Sequence, residues 1–514
     1  MSSLVPGTSG QFLQTQGTGA NPVWTSSTDI TGPTLIVAAS DSNDTARADY
    51  QCSGTNDDAT IESAIAALPA VGGTVLLLEG TYAIDSNGVD IAKSNVSLIG
   101  SGRSTILERN WTATMFTGGA GVVTVGDYGT TQVSGVVVAN LAVDGNKTSH
   151  TGEYNIGILF LYDVSSSKVE NNWVYNCDGY GIRARGNSGG NENYYNSFIG
   201  NDVRNNDYAG VYIDYGHYSV IADNVVKSNA INGITLDNSD YCTVTNNIFE
   251  ANARRGFYLY YSDYATVSGN VASHTTASNG YGICAYESYY NTINGNTCYQ
   301  NAEYGIFLEN SSYSNVIGNK LHDNGGVSDA SSLRFGGTST GNLLAYNDIT
   351  DTAGSGVYAI VLASSGHYLI GNRYSGTGAD QMIDYGTNTV QHWNELEIDG
   401  TFQAYELLTE AQNSGVTLTS SDFGKTITVD NASTQTVTLP SVSSSDIGAW
   451  FRVVKLGSGQ VTVDAADSDT IADSTAGGTI YNSQSGQDYA TITIQLANST
   501  EWVITKAQGT WTTN

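Results

Sequence analysis

Two acidic residues in the middle of the chain occupy matching positions of a repeated segment and could act as a pair. The segments GVYIDY and GITLDN begin at Gly210 and Gly233, and Asp214 and Asp237 each follow their glycine by four residues. On neighbouring coils of a stacked structure the carboxylates would lie about 5 Å apart, which raises one pKa and supplies an acid and a base. Retaining glycoside hydrolysis uses two carboxyl groups at about 5 Å. Aspartates that bind a cation or are only solvated are the alternative interpretation.

Other side chains on the same predicted face suit a sugar polymer. Positions two and four residues after each glycine alternate with apolar positions, so they point outward. Aromatic rings suit the C–H faces of sugars, and guanidinium groups hold carboxylates. The predicted carbohydrate-binding residues are Arg183, Arg185, Tyr212, Tyr258, Tyr260 and Tyr286. The predicted catalytic residues are Asp214, Asp237 and Glu309.

A repeat of about two dozen residues positions these side chains. An asparagine recurs once in each repeat, and most of these asparagines are followed nine residues later by a glycine that opens an apolar strand. A fixed period of this size indicates one unit stacked on copies of itself, and two or three short strands per repeat predict a right-handed parallel β-helix over residues 96–400. Each asparagine is predicted to lie at a turn and to stack on the next one. The asparagines are Asn172, Asn201, Asn224, Asn247, Asn270, Asn296, Asn319, Asn347 and Asn372.

The segments on either side of the repeat have other patterns. Residues 34–95 contain DDATIESAIAALPA, whose apolar spacing predicts a helix that caps the open end of the stack, followed by the first coil. Residues 1–33 are rich in Gly, Ser and Thr and hold one hydrophobic pair, Val23 and Trp24, which predicts an arm that orders against another molecule; a tag or linker is the alternative. Residues 401–514 alternate apolar and polar residues, which predicts a small β-sandwich or barrel.

Composition narrows the classes of function. The net charge of −30 disfavours nucleic acid and anionic membrane surfaces as partners, although solubility or a saline habitat also explains it. The five cysteines form no CxxC pair and the histidines have no metal-ligand spacing, so neither a metal nor a cofactor is expected. The first residues lack the basic and apolar regions of a signal peptide, and no apolar run is long enough to span a membrane, so membrane insertion is not expected.

The layout resembles bacteriophage tailspikes and related virion fibres that have a pectate-lyase-like β-helix body. The stretch GTNDDATIESAIAALPAVGGTVLLLEGTYAI at 54–84 is similar to the capping helix and first coil of that superfamily. The opening GTSGQFLQTQGTGANPVWTS at 7–26 is similar to short segments that attach phage fibres to the particle. The tail from Gly415 to Trp502 resembles small β modules that end phage tail proteins.

This resemblance implies a homotrimer that is made in the host cytoplasm and becomes part of the virion. The arm with Val23 and Trp24 would attach it to other tail proteins, and the β-helix would recognise a host surface polysaccharide, with or without depolymerising it. The NTD, GHG and RIK motifs of polygalacturonases are absent. Two alternatives therefore stay open: a structural or adhesive virion fibre without catalysis, and a free bacterial polysaccharide lyase or hydrolase.

Overall fold

The computed structural model describes the strands Gln11–Gln14 and Val23–Ser26 and most of residues 33–514. Within the second range the undescribed residues are 86–87, 114–119, 128–130, 153, 326–330, 352–357, 376–381, 385–388, 393, 399–400, 406–407, 413–414, 467, 473–476 and 484–489. The two short strands pair antiparallel, and Val23 and Trp24 lie in the second. The rest of the predicted arm lies outside the described residues.

The chain divides into two compact units, one of Met1–Val390 with Glu397–Thr401 and one of Gln391–Leu396 with Phe402–Asn514. The first unit is a parallel β-helix of about 13 turns, which confirms the predicted all-β fold class. The finer boundaries predicted at residues 33, 95 and 400 stay predictions. No helix in the described ranges is long and apolar enough to cross a membrane.

Three long parallel sheets, here named A, B and C in their order along one coil, form this unit. The described pairings of sheet B run from Tyr50–Gln51 to Tyr368–Ile370, and those of sheet C from Gly80–Ile84 to Arg373–Ser375. The strands of sheet A are Val89–Ile91, Gly121–Val125, Ile156–Leu161, Ile182–Arg185, Val211–Asp214, Ile234–Asp237, Arg255–Tyr260, Tyr281–Tyr286, Tyr304–Glu309, Ser331–Gly336, Tyr358–Leu362 and Met382–Asp384.

Asparagines at the corner between sheets B and C form the predicted ladder. The Asn201 side-chain amide donates to the Asn224 side-chain oxygen at 3.0 Å, and the Asn201 backbone N–H donates to the same oxygen at 2.9 Å. The pattern repeats up to Asn372. Because each amide satisfies buried polar groups of two coils, the ladder holds successive coils in register, and the prediction is confirmed.

The glycine that opens most of the sheet A strands is required by the close approach of the next coil. A Cβ atom at Gly233 would lie 2.3 Å from the carbonyl oxygen of Gly256, and one at Gly210 would lie 2.4 Å from Cγ1 of Val226. Any larger residue would push the coils apart. The glycine therefore fixes where each strand of the site begins.

The predicted capping helix spans Asp57–Ala67 and is joined to the first coils at both ends. At its start the Asp57 carboxylate accepts hydrogen bonds from the backbone N–H groups of Gly54 at 3.0 Å and Ala83 at 2.9 Å. At its end Lys93 Nζ donates to the carbonyl oxygens of Ile65 at 3.0 Å and Leu68 at 2.8 Å. The negative charge of Asp57 thus lies at the N-terminus of the helix and the positive charge of Lys93 at its C-terminus, as the helix dipole favours.

The second unit has two sheets that share one core, as predicted for a small β module. Its largest buried side chains are Trp502 and Phe451, whose ring centroids lie 5.5 Å apart. One sheet contains Leu408–Gln412, Thr426–Val429, Trp450–Lys455, Thr470–Ile471, Ala490–Leu496 and Glu501–Gln508. The other contains Val416–Thr417, Gln435–Thr438, Val461–Asp464, Thr479–Asn482 and Thr512–Thr513.

Candidate functional site

The two predicted acids lie side by side on the outward face of sheet A. Asp214 and Asp237 pair in register on neighbouring strands. Strands of one sheet lie about 4.8 Å apart, which is close to the carboxyl separation of retaining glycoside hydrolases. Arg183 Nη2 lies 3.7 Å from Asp214 Oδ2, and the Tyr212 hydroxyl donates a hydrogen bond to Asp237. The structure therefore brings these two acids together with two of the predicted sugar-binding residues.

The two carboxyl groups differ in their surroundings. Burial, together with the Asp237 charge, raises the pKa of Asp214 to about 6, against the opposing effect of Arg183. Burial also raises the pKa of Asp237, while hydrogen bonds from Tyr212 and Asn238 oppose that rise. Asn238 Nδ2 donates to Asp237 Oδ1 at 2.7 Å. Asp214 is therefore placed to donate a proton, and Asp237 is held by donors that stabilise its ionised form.

Glu309, the third predicted catalytic residue, lies elsewhere on the same face. The register runs from Asp237 through Tyr260 and Tyr286 to Glu309. Three coils therefore separate Glu309 from Asp237, roughly 14 Å at the ordinary strand spacing. Residues at the same position of successive coils form a column that extends along the whole face of a β-helix. Glu309 therefore shares the column of Asp214 and Asp237 but does not lie next to them.

The predicted sugar-binding tyrosines beyond the acids form a continuous aromatic surface. The Tyr260 ring centroid lies 5.4 Å from that of Tyr258 and 5.6 Å from that of Tyr286. All three side chains are half-buried, so part of each ring faces solvent. Arg185 lies on the coil before Asp214, with its guanidinium 5.6 Å from the Tyr162 ring centroid. The binding role of these residues stays a prediction.

A second column of site residues escapes the sequence pattern. The glycine that opens each strand has its Cβ direction toward the core, so the residue before it points outward. Arg255, Tyr281 and Tyr304 pair in register in this column. On an earlier coil Tyr180 contacts Tyr212, with ring centroids 5.1 Å apart. The recurring aromatic or basic residue in YGIRA, RGFYL, YGICA and YGIFL is the signal that could have revealed this column.

A ladder of exposed tyrosines lies at the corner between sheets A and B. Neighbouring ring centroids are 4.9–5.3 Å apart and the rings are close to parallel. Every member has a positive φ between 54° and 58°, a conformation in which Gly and Asn are more usual. The ladder consists of Tyr195, Tyr218, Tyr241, Tyr264, Tyr290 and Tyr313. It accounts for many of the tyrosines that core packing does not explain.

A separate cavity of about 320 Å³ opens on the outer face of sheet C. The Arg103 guanidinium lies 4.6 Å from the Trp173 ring centroid and 3.2 Å from Asp202. Arg204 contacts the same aspartate, with Nε 2.7 Å from Oδ1. Asp202 therefore forms an ion pair with both arginines of this cavity.

The comparison with protein families gives one partial match. The family model of the periplasmic copper-binding protein (NosD) matches residues 200–332 and 271–404, which together make up less than half of the chain. Within the described part of the chain, no group of three or more His, Cys, Asp or Glu side chains could hold a metal ion. Among curated proteins, none matches this sequence.

Solved structures show the same fold. The A-module of mannuronan C-5 epimerase AlgE6 from Azotobacter vinelandii matches 66% of this chain and 96% of its own, with a TM-score of 0.57 and 20% identity. DFA-IIIase from Arthrobacter chlorophenolicus A6 matches 65% of this chain and 94% of its own, with a TM-score of 0.51 and 15% identity. These two likenesses establish a parallel β-helix. The Dettilon tailspike protein matches 65% of this chain and 64% of its own, with a TM-score of 0.48 and 16% identity.

Proposed function

We propose that this protein binds an extended polysaccharide along the outward face of sheet A and does so as a receptor-binding tailspike of a virion. The observation that carries the sugar-binding proposal is the cluster in which Arg183 and Tyr212 each contact one of two adjacent carboxyl groups, Asp214 and Asp237. Planar polar groups beside aromatic rings are what a site uses to orient sugar hydroxyls over a C–H surface. Tyr258 and its neighbours extend the aromatic surface beyond the cluster.

A second candidate activity is cleavage of the bound glycan. Asp214 has a raised pKa and lies next to Asp237, so one carboxyl group can be protonated while the other is ionised. In a retaining reaction Asp214 donates its proton to the glycosidic oxygen while the Asp237 carboxylate attacks the anomeric carbon and the carbon–oxygen bond breaks. Water then attacks the anomeric carbon, the bond from that carbon to Asp237 breaks and frees the Asp237 carboxylate, and a proton of the water passes to Asp214.

The virion assignment and the homotrimer are supported by the resemblance of segment 7–26 to segments that attach phage fibres and of the tail from Gly415 to Trp502 to modules that end phage tail proteins. Two further functions compete with this proposal: a non-catalytic structural or adhesive fibre, and a free bacterial lyase or hydrolase. The β-helix fold does not separate them, because the mannuronan epimerase has it as well. Light scattering tests the trimer, and three times the mass of one chain is the expected result.

The experiment measures the binding of the purified full chain to capsular and lipopolysaccharide glycans extracted from a panel of bacterial strains, and the glycan length after incubation. Tyr258→Ala on sheet A should weaken binding about tenfold, because aromatic contacts of this kind contribute up to about 1.4 kcal/mol. Tyr299→Ala, a half-buried tyrosine of sheet C, is the matched control. Binding to no glycan of the panel, or an equal effect of both substitutions, would reject a binding face on sheet A. Shortened glycans would support cleavage.

A further inference from the structure

Three arginines on sheet A share one arrangement, in which each guanidinium lies beside two aromatic rings. Arg183 lies 4.5 Å from the ring centroid of Tyr180 and 5.1 Å from that of Tyr212. Arg255 lies 4.1 Å from the Tyr258 centroid and 5.4 Å from the Tyr281 centroid. The repeated arrangement indicates one kind of subsite rather than three unrelated contacts.

The third arginine, Arg334, completes the series further along the face. Its guanidinium lies 5.3 Å from the Tyr304 ring centroid and 5.9 Å from the Phe307 centroid, and Nη1 donates to the Tyr304 hydroxyl at 2.6 Å. In all three cases one ring belongs to the residue before the opening glycine and the other to the position two residues after the glycine. The three guanidinium groups therefore lie on one line parallel to the axis of the β-helix.

The register gives the spacing along this line. From the strand of Arg183 the pairing passes through two strands before it reaches the strand of Arg255, and it passes through two more before that of Arg334. Allowing for the lean of each side chain, the guanidinium groups lie two to three coils apart, roughly 10–14 Å.

These positive groups have few carboxylate partners. Arg183 contacts Asp214, but neither Arg255 nor Arg334 forms an ion pair with a described residue. The Nε atoms of both are buried without a hydrogen-bond partner in the described structure. In a chain with a net charge of −30, two half-buried arginines that form no ion pair with a described residue indicate that a ligand supplies the negative charge.

We propose that the sheet A face binds an extended acidic polysaccharide whose carboxylate groups recur about every two or three sugar residues, with one carboxylate at each of Arg255 and Arg334. This inference rests on the proposed glycan-binding function and names the chemical class of the glycan. One coil is close in length to one sugar residue of an extended β-1,4-linked chain, so the chain can lie along the axis with one sugar per coil. Each guanidinium then donates two hydrogen bonds to one carboxylate in a forked contact, while the rings beside it pack against neutral sugars.

The acids of the same face oppose a glycan that carries a carboxylate on every residue. Asp214 and Asp237 lie on the two coils between Arg183 and Arg255, and Glu309 lies on the coil before Arg334. A uniformly charged polyuronate would place carboxylates against these three acids. A glycan with a carboxylate on only some of its sugars therefore matches the alternating arginines and acids of this face better than a glycan with a carboxylate on every sugar.

The test compares three cellulose derivatives, because cellulose is an extended β-1,4 chain. The first is hydroxyethyl cellulose, which is uncharged. The second is carboxymethyl cellulose with on average about one carboxylate per three glucose units, which matches the spacing of the arginines along the coils. The third is carboxymethyl cellulose with about one carboxylate per glucose unit, which is about one per coil. Binding to the full chain is measured at fixed ionic strength. The variants are Arg255→Gln and Arg334→Gln, with Arg255→Lys to retain charge without the forked geometry. Lys320→Gln on sheet C is the control for loss of one positive charge.

The proposal predicts tightest binding of the sparsely carboxymethylated chain. Each arginine-to-glutamine substitution should weaken that binding about fivefold or more, Arg255→Lys should weaken it less, and Lys320→Gln should leave it unchanged, while the thermal unfolding midpoint shows that the variants fold. Equal binding of the neutral chain, with no effect of the arginine variants, would overturn the acidic-glycan inference and leave glycan binding standing. Tightest binding of the densely charged chain would overturn the spacing. Failure to bind any of the three chains would overturn the inference, and the bacterial glycan panel then decides separately whether the proposed function fails as well.

Discussion

The Tyr212 hydroxyl donates a hydrogen bond to the carboxylate of Asp237 on the next coil of sheet A. Asp214, which pairs in register with Asp237, instead faces the Arg183 guanidinium at 3.7 Å. Two acids in equivalent positions of a repeat therefore have different partners. The two carboxyl groups therefore differ in how readily they ionise, although they occupy the same position of the sequence repeat.

Substitution of Asp214 tests its role as the proton donor. If the protein cleaves its glycan, Asp214→Asn should lower the rate about a hundredfold or more, because amide nitrogen cannot supply the proton, while glycan affinity changes little. For the unsubstituted protein the rate should fall as the pH rises through about 6, where Asp214 loses its proton. Rates from reducing-end assays and affinities from equilibrium binding are compared. Unchanged cleavage by Asp214→Asn would exclude this residue as the acid.

Removal of the Tyr212 hydroxyl tests the second carboxyl group. The hydrogen bond from Tyr212 stabilises ionised Asp237 and so opposes the rise of its pKa. Tyr212→Phe should therefore raise the pKa of Asp237, and the loss of activity on acidification should begin at a higher pH. The pH dependence of kcat/KM measures this shift. Tyr286→Phe, three coils further along the face, serves as the control. If kcat/KM falls at the same acidic pH in both variants, Tyr212 does not stabilise the ionised form of Asp237.

Stacking in the exposed tyrosine ladder should stabilise the folded protein despite the backbone conformation of its members. Tyr241 has a φ of 58° and lies between Tyr218 and Tyr264, with ring centroids 5.0 Å and 4.9 Å away. Tyr241→Asn relieves the backbone but removes two stacked pairs, so we expect a lower thermal unfolding midpoint. Tyr346 has a φ of 55° at another corner, is exposed, and is not in this ladder. Tyr346→Asn should leave the midpoint unchanged or raise it, and the reverse order would show that stacking does not stabilise the coils.

The asparagine ladder should be the most sensitive element of the β-helix. Asn247 is fully buried, donates to the Asn270 side chain at 2.9 Å and to the Ile221 carbonyl at 2.9 Å, and accepts from the Asn224 N–H at 3.0 Å. Asn247→Ala leaves these groups unsatisfied and should destabilise the fold by about 3 kcal/mol or more. Urea unfolding followed by tryptophan fluorescence measures the effect. Asn246→Gly at the adjacent exposed corner, where φ is 55°, should be nearly neutral.

The period in the sequence was sufficient to predict the architecture. The spacing of the asparagines and glycines predicts the length of one coil. The alternation of apolar and polar residues after each glycine predicts that Tyr212, Asp214 and Asp237 point outward. These inferences succeed because a coil that must match its neighbours repeats its polar and apolar positions. The capping helix follows equally directly from its apolar spacing.

The parts that escaped prediction depend on where the backbone bends. Alternation places the residue before the opening glycine inward, but the bend there turns Arg255 and Tyr281 outward. The tyrosine ladder escaped because its members adopt a conformation for which Tyr is an unusual choice. Glu309 was grouped with the acids because it occupies the same outward position of the repeat, although the three repeats between it and Asp237 already predict the separation of three coils that the register shows.

The most direct test of the central claim is a structure of the full protein with oligosaccharides released from, or synthesised after, the polysaccharide that it binds. The account predicts sugar density along the outward face of sheet A, over the Asp214–Asp237 pair and the aromatic surface that begins at Tyr258. Sugar bound in the sheet C cavity at Trp173 or along the exposed tyrosine ladder, with sheet A empty, would contradict it.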